Sequence, residues 1–215
     1  MIVGNTPGWN RVRYSLYAPI YDWIVRLDRA RRHSLGLLAL QSGERVILPG
    51  AGTGQDLALL PPGVHALAGD TAPGMLRQLH RAAARSEASV EVRELDAERL
   101  DCPDGSFDAA ILHLIVAIVP DPRASLEEAA RVVRPGGRVV ILDKFAPAGR
   151  SVPLWRRVLN PLVEFLASSI DRQVESLLEG LPFRVVKREE VALGGLLEVI
   201  LLVREPAGTK GSPDG

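Results

Sequence analysis

With 215 residues, 47% of them hydrophobic and 24% charged, the chain has the size and balance of one globular α/β domain with a sizeable core, which excludes a disordered or collagen-like polymer. Its 26 basic residues match 26 acidic ones, so no global field exists to hold a polyanion and no nucleic-acid partner is expected. One cysteine, Cys102, excludes an intrachain disulfide, and His33, His65, His80 and His113 show no ligand spacing, so no metal site is expected. The first ten residues lack an apolar core, and no apolar run reaches the roughly 18 residues of a membrane span. The expectation is a cytoplasmic protein with at most a peripheral membrane contact.

Residues 9 to 40 read as helices bearing Trp9, Tyr14, Tyr17, Tyr21 and Trp23, ended by Gly43. Seven Arg between Arg11 and Arg45 face only Asp22, Asp28 and Glu44, so this N-terminal helical cap (1–40) is locally basic. From Arg45 the period changes. Val46, Ile47 and Leu48 form a short apolar strand, followed by the turn PGAGTG and by helical character from Asp56 to Leu60 that Pro61 and Pro62 end. A second strand runs from Val64 to Ala68 and ends at Gly69 and Asp70, after which Thr71 is positioned to cap a helix reaching about Arg85.

Val90, Val92 and Leu95 alternate as a third strand ending at Asp96, and Phe107 to Leu114 form a fourth. Asp121 and Pro122 start a helix, with an acceptor side chain at the N-cap and Pro in the first turn, that stops before Pro135. A fifth strand spans Arg138 to Leu142, a sixth Val185 to Leu193 and a seventh Leu196 to Arg204. Apolar helical material from Val152 to Glu179 lies between the fifth and sixth, and Glu205 to Gly215 read as a disordered tail. Helical crossovers make the first five strands parallel, and the Gly194-Gly195 link makes the last two an antiparallel pair. The fold class is therefore α/β: a Rossmann-like, doubly wound, seven-stranded, mostly parallel sheet over residues 41–204, with an antiparallel C-terminal strand and the N-terminal cap.

In such a sheet the ligand crevice lies at the carboxyl ends of the strands. The residues there are Gly50, Gly52, Gly54, Asp70, Asp96, His113 and Asp143. The glycine turn lets backbone approach a ligand, and the helix expected after it presents free N–H groups to an anion. A nicotinamide site with G-x-G-x-x-G would need glycine at position 55, which is Gln55. Asp70 is suited to accept both hydroxyls of a ribose, and Asp96 an exocyclic adenine amine. Either acid alone is more often a strand-end cap; in register with the glycine turn they favour an adenosine-containing cofactor.

The stretches VILPGAGTG (46–54), GDTAPGML (69–76), LDAERL (95–100), FD (107–108) and LEEAARVVRPGGR (126–138) occur in this order. In them the chain resembles the class I S-adenosylmethionine-dependent methyltransferases from about Arg45 to Arg204. The resemblance implies S-adenosylmethionine as cofactor. Gly50, Ala51, Gly52, Thr53 and Gly54 would face its methionine part, Asp70 its ribose and Asp96 its adenine amine. Ala97 would give adenine a backbone N–H, with Thr71 and Met75 flanking the ring. The acid that this family commonly carries two residues before the first glycine is replaced by Leu48, with Gln55 or Asp56 as the nearby candidates to compensate.

The segments YSLYAPIYD (14–22) and HLIVAIVPDP (113–122) look like the quinone and phosphatidylethanolamine branch of that family. In this branch the first helix covers the cofactor, so Tyr14, Tyr17 or Tyr21 would touch its carboxylate or sulfonium; core packing explains any one of these rings equally well. The acceptor would be a small or lipid-like molecule, with residues 152–179 roofing its pocket. If a proton must be removed, His113 or Asp143 is the candidate base, His113 being as readily a structural histidine. Monomer and homodimer both remain open. The rival to an enzyme is a protein of the same fold that holds the cofactor without transferring a methyl group.

Overall fold

The structure is a computed structural model that describes residues 28–144, 174–192 and 197–206. The tyrosines of the cap, most of the expected roof, the Gly194-Gly195 link and the tail beyond Pro206 lie outside the described residues. Helix α1 (Asp28–Leu38) precedes β1 (Arg45–Pro49), a 3-10 helix (Gln55–Leu59), β2 (His65–Asp70), α2 (Pro73–Ala83), β3 (Ser89–Glu94) and β4 (Phe107–His113). Then come α3 (Pro122–Val132), β5 (Val133–Lys144), α4 (Val174–Leu178), β6 (Phe183–Ala192) and β7 (Leu197–Arg204).

The seven strands form one sheet in the order β3-β2-β1-β4-β5-β7-β6. The first five pair in parallel, β7 runs antiparallel to β5, and β6 antiparallel to β7. The strand order reverses between β1 and β4. This topological switch point is where a crevice opens at the carboxyl ends.

Alternation along the strands sends successive side chains to opposite faces. Ile47, Leu67, Ala110, Leu112, Val139 and Ile141 face a core closed by Leu126, Ala129 and Val132 of α3 and Val174 of α4. Val46, Leu48, Ala66, Ala68, Ala109, Ile111 and Val140 face a second core closed by Leu35 and Leu38 of α1, Leu57 of the 3-10 helix and Leu79 of α2. Both faces are thus covered, which is why β1, β2 and β4 read as apolar runs. Each fully buried Leu or Ile contributes about 1.5–3 kcal/mol of hydrophobic stabilisation.

Three local expectations change. The helix after the glycine turn is a five-residue 3-10 helix, because Pro61 and Pro62 leave room for little more than one turn before a donor is missing; no extended helix dipole stands behind the turn. Thr71 does not cap α2: Ala72 is the N-cap residue with no side-chain cap bond, and Asp70 Oδ1 instead accepts from the Ala72 N–H at 2.8 Å. The fifth strand begins at Val133, not Arg138. Phe107 pairs with Val133 and Ala109 with Arg138, so the Pro135-Gly136-Gly137 turn is a bulge inside a strand element rather than its boundary. Helix α3 starts as expected, with Asp121 accepting from the Ala124 N–H at 3.1 Å and Pro122 in the first turn.

Candidate active site

The carboxyl ends of β1, β2, β3 and β4 enclose a cleft of about 350 Å³. Gly50 and Gly52, Asp70, Thr71 and Met75, and Asp96 and Ala97 line it from one side, and Leu114, Ile115, Ile118 and Val119 from the other. Gly50 and Gly52, the two acids and the ring-flanking residues are therefore brought together, whereas Ala51 and Thr53 line a smaller cavity on the α1 side of the turn and Gly54 lines neither space. Tyr14 and Tyr21 lie outside the described residues.

The turn is built for close approach. Gly54 has φ +84, and a Cβ there would come 2.7 Å from the Ala82 Cβ and 2.9 Å from Leu79 Cδ1, so only glycine lets the turn rest on α2. At Gly52, φ is +58 and a Cβ would meet nothing within 4 Å. Its face toward the cleft is a cradle with room for a ligand. Asp70 ties turn to strand: Oδ2 accepts from the Gly52 N–H at 3.0 Å while Oδ1 holds Ala72. Burial pushes its carboxyl above the ordinary value against the backbone donors of Ala72, Gly52 and Thr71, and the roughly four acceptor sites of a carboxylate leave room for a ligand hydroxyl. Asp96 is exposed on the rim, with Oδ1 accepting from the Glu98 N–H at 3.0 Å. Its Oδ2 has no protein donor among the hydrogen bonds described. Ala97 is buried beside it, and Met75 forms part of the floor at 2% exposure.

The far wall begins at Leu114, whose φ of +58 is rare for a branched side chain. Its N–H donates to the Leu142 carbonyl at 2.8 Å, and this left-handed residue swings the chain from β4 across the cleft. Asp143 fixes the same segment from below. It is 1% exposed, its Oδ2 accepts from the Ala117 N–H at 2.9 Å and its Oδ1 from the Lys144 N–H at 2.8 Å. Burial raises its carboxyl to about 6. Asp143 is not among the residues lining the cleft.

His113 is engaged at both nitrogens. Nδ1 donates to Asp56 Oδ1 at 2.8 Å, the carboxylate fixing that tautomer, and Nε2 bonds the Ser34 hydroxyl at 2.8 Å. At 6% exposure the ring has no nitrogen left to take a substrate proton, so the structure favours the structural histidine over the base. Asp56 Oδ2 in turn accepts from Arg31 Nη1 at 2.6 Å. Burial alone would raise the Asp56 carboxyl, but His113 and Arg31 hold it well below the usual carboxylate range.

The chain Ser34, His113, Asp56, Arg31 joins α1 to the glycine turn and β4. Sequence reading reached only Asp56 and His113 of this group. The signal for the other two was Arg31 and Ser34 at i and i+3 on the face of α1 that also carries Leu35 and Leu38, where polar side chains require partners.

The family model described as "Methyltransferase domain" matches residues 48–141. A demethylmenaquinone methyltransferase of Clavibacter sepedonicus is 37% identical over 155 residues, 72% of this chain and 59% of that protein. The chain thus spans about three-fifths of that relative's length. A phosphatidylethanolamine N-methyltransferase of Cereibacter sphaeroides is 30% identical over 188 residues, 86% of this chain and 93% of that protein. Among solved structures, a SAM-dependent methyltransferase from Aquifex aeolicus superposes with a TM-score of 0.61 at 20% identity, covering 81% of this chain and 89% of that one; this likeness is one of fold.

The chain belongs to the class I S-adenosylmethionine-dependent methyltransferases, whose cofactor is S-adenosylmethionine. Within that family it is related to the branch that holds the quinone and phosphatidylethanolamine methyltransferases. No helix among the described residues is long and apolar enough to cross a membrane.

Proposed function

We propose that this chain transfers the methyl group of S-adenosylmethionine to a small lipid-like acceptor, of the quinone or the phosphatidylethanolamine type. The observation that carries the reading is the cleft in which the cradle at Gly52, Asp70 and Asp96 stand in register, in a chain related to enzymes of both acceptor types. The cofactor supplies a methyl group made electrophilic by its sulfonium. Asp70 accepts from the ribose on the acceptor sites its backbone donors leave open, and Asp96 receives the adenine amine on Oδ2. Ala97 donates its N–H to the ring, which Thr71 and Met75 flank. Gly50, Ala51, Gly52, Thr53 and Gly54 pass along the methionyl part. Tyr14 and Tyr21 cover its far side, a role that rests on the resemblance alone.

The acceptor's nucleophilic electron pair, the nitrogen lone pair of a deprotonated ethanolamine amine or the ring-carbon π pair of a reduced quinol, forms the new bond to the methyl carbon as the carbon–sulfur bond breaks, that bond's electron pair staying on sulfur. Catalysis is then largely alignment of two partners in the cleft. His113 and Asp143 act in this reading as positioning residues, one for Asp56 and one for the wall at Ala117, and the acceptor's proton leaves to water.

The test is incubation of the protein and methyl-labelled S-adenosylmethionine with phosphatidylethanolamine vesicles or with a demethylated naphthoquinol kept reduced by dithionite, followed by solvent extraction, with Asp70→Ala as control. Label in the organic phase only with the intact protein is the expected result, and the substrate that carries it tells the two acceptors apart. Label confined to the aqueous phase in cell extract would overturn the lipid-like acceptor. Absence of transfer despite bound S-adenosylhomocysteine would favour the second reading, a non-catalytic cofactor-binding protein, for which Leu48 in place of the family's usual acid speaks.

A further inference from the structure

Two lips meet at the Asp96 end of the cleft: the turn after β3, which contributes Ala97 and Glu98, and the end of the far wall, which contributes Val119 and Pro120. The first lip is shaped locally. Asp96 Oδ1 accepts from the Glu98 N–H at 3.0 Å and the Asp96 carbonyl from the Arg99 N–H at 3.1 Å, a turn that fixes its own shape but not its distance from the wall opposite. Its trailing end is fastened to α3, where the Leu100 N–H donates to Glu128 Oε2 at 2.6 Å and Arg131 Nη2 to the Leu100 carbonyl at 2.8 Å. The second lip ends at Asp121, the N-cap of α3, and Leu126, Ala129 and Val132 anchor that helix in the core.

Glu98 joins the lips. Its Oε1 accepts from the Asp121 N–H across the mouth of the cleft. The N–H of an N-cap residue is often met by a Glu or Gln three residues on, in its own helix. That position is Ala124, which has no acceptor, so the bond is supplied from the opposite side of the cleft. Burial, and then the charges of Asp96 and Asp121, push the Glu98 carboxyl above its ordinary value against that N–H. Negative charge is therefore a liability at this position. What the bridge needs is an acceptor oxygen with the reach of a glutamyl side chain.

We infer that Glu98 is a positioning residue for the cofactor: by tying the turn that carries Asp96 and Ala97 to the start of α3, it holds the two walls at the spacing of the adenine ring and slows cofactor release. The inference rests on the reading of the main cleft as the cofactor site. Glu98 does not itself read the adenine amine, which falls to Asp96. A spacing set before binding reduces the ordering that binding must impose, and its loss falls on dissociation.

The experiment measures association and dissociation of S-adenosylhomocysteine, and of S-inosylhomocysteine, whose ring carries a carbonyl in place of the amine, by surface plasmon resonance on the immobilised full chain. Glu98→Ala removes the bridge, Glu98→Asp keeps the charge but shortens the reach, and Glu98→Gln keeps reach and acceptor without the charge. Glu98→Ala and Glu98→Asp should release S-adenosylhomocysteine about three- to tenfold faster, with association within about twofold of the intact protein. Glu98→Gln should match the intact protein within about twofold on both rates. S-inosylhomocysteine should be released faster by the same factor, so that the preference for the amine is retained.

Dissociation unchanged in Glu98→Ala, even with a lowered melting temperature, would show a mere helix cap and overturn the inference. Failure of Glu98→Gln to restore slow release would overturn it too, as would a loss confined to the ligand with the amine, which would make Glu98 a direct adenine contact. Should Glu98→Ala not fold, the other two variants decide: equal release from both overturns the inference, and faster release from Glu98→Asp alone supports it. An intact protein that binds neither ligand would instead overturn the cofactor reading of the cleft, and this inference with it.

Discussion

Replacing Asp56 by Asn keeps the shape of the side chain and removes its charge at the one place where α1, the glycine turn and β4 are held together. Asp56 is 3% exposed, with Arg31 Nη1 at 2.6 Å and His113 Nδ1 at 2.8 Å. Hydrogen bonds to charged groups contribute about 1.5–3 kcal/mol each, and removing one partner of a buried ion pair costs about 3–5 kcal/mol because the other charge remains. A loss of about 3–5 kcal/mol is expected at pH 7, against the roughly 5–15 kcal/mol that hold an ordinary domain. Urea unfolding followed by far-UV circular dichroism should show a lower midpoint with an unchanged slope.

The pH dependence follows from the direction of the Asp56 shift. Its carboxyl is held below its unfolded value, so its contribution is present above about pH 4 and fades as pH falls further. The gap between the intact protein and Asp56→Asn should therefore narrow in acid. The double variant Arg31→Met, Asp56→Leu, which removes both charges, should recover more than half of the loss. A loss under about 1 kcal/mol for Asp56→Asn, or a double variant as unstable as the sum of its parts, would refute the coupling.

Gly54→Ala should cost about 2–4 kcal/mol, from left-handed backbone strain and from the 2.7 Å approach to Ala82; a melting temperature within 2 °C of the intact protein would contradict the close-approach argument. Asp143 is raised to about 6 from an ordinary 3.8, so its contribution is full below about pH 4 and lost as pH rises through about 6, worth about 2–3 kcal/mol. Asp143→Asn should accordingly abolish a fall in urea midpoint between pH 4 and pH 6 that the intact protein shows, and identical slopes would sink this. Leu48 is 1% exposed in the core shared with α1, so Leu48→Asp should destabilise by about 3–5 kcal/mol without tightening S-adenosylhomocysteine binding; tighter binding in calorimetry would show that the usual acid can still act here.

The strands were legible because burial on both faces leaves no polar alternative. Val46 to Leu48 and Ala109 to Leu112 are unbroken apolar runs, and their order with the intervening helices gives a parallel sheet. The cleft was legible for a related reason: a doubly wound topology assigns strand ends to the ligand, and Asp70 and Asp96 stand at them. The helix after Gly54 was misjudged because Asp56 to Leu60 are compatible with either helical hand-off, and the prolines that decide its length act from outside it. The start of β5 was misjudged because Pro135-Gly136-Gly137 looks identical as a chain turn and as a bulge; only the pairing of Phe107 with Val133 tells them apart.

His113 is the instructive case. A strand-end histidine in a cleft reads as a base, and what removes that role is not its own position but Ser34 and Asp56, which lie 79 and 57 residues away in sequence. Such contacts have no local signature, since neither helical period nor turn chemistry encodes a partner across the sheet. What the sequence does carry is the anomaly: Arg31 and Ser34 on the buried face of α1, and Leu48 where an acid was expected. Each breaks a local rule, and breaks of that kind are expected to gather where function is built. Leu48 and α1 share one core, so a helix bringing a paired arginine to the turn and a strand that has given up its acid belong to one rearrangement of charge. The carboxylate at Asp56 serves the arginine, and an additional acid at position 48 would bring negative charge into the apolar core that Leu48 shares with α1.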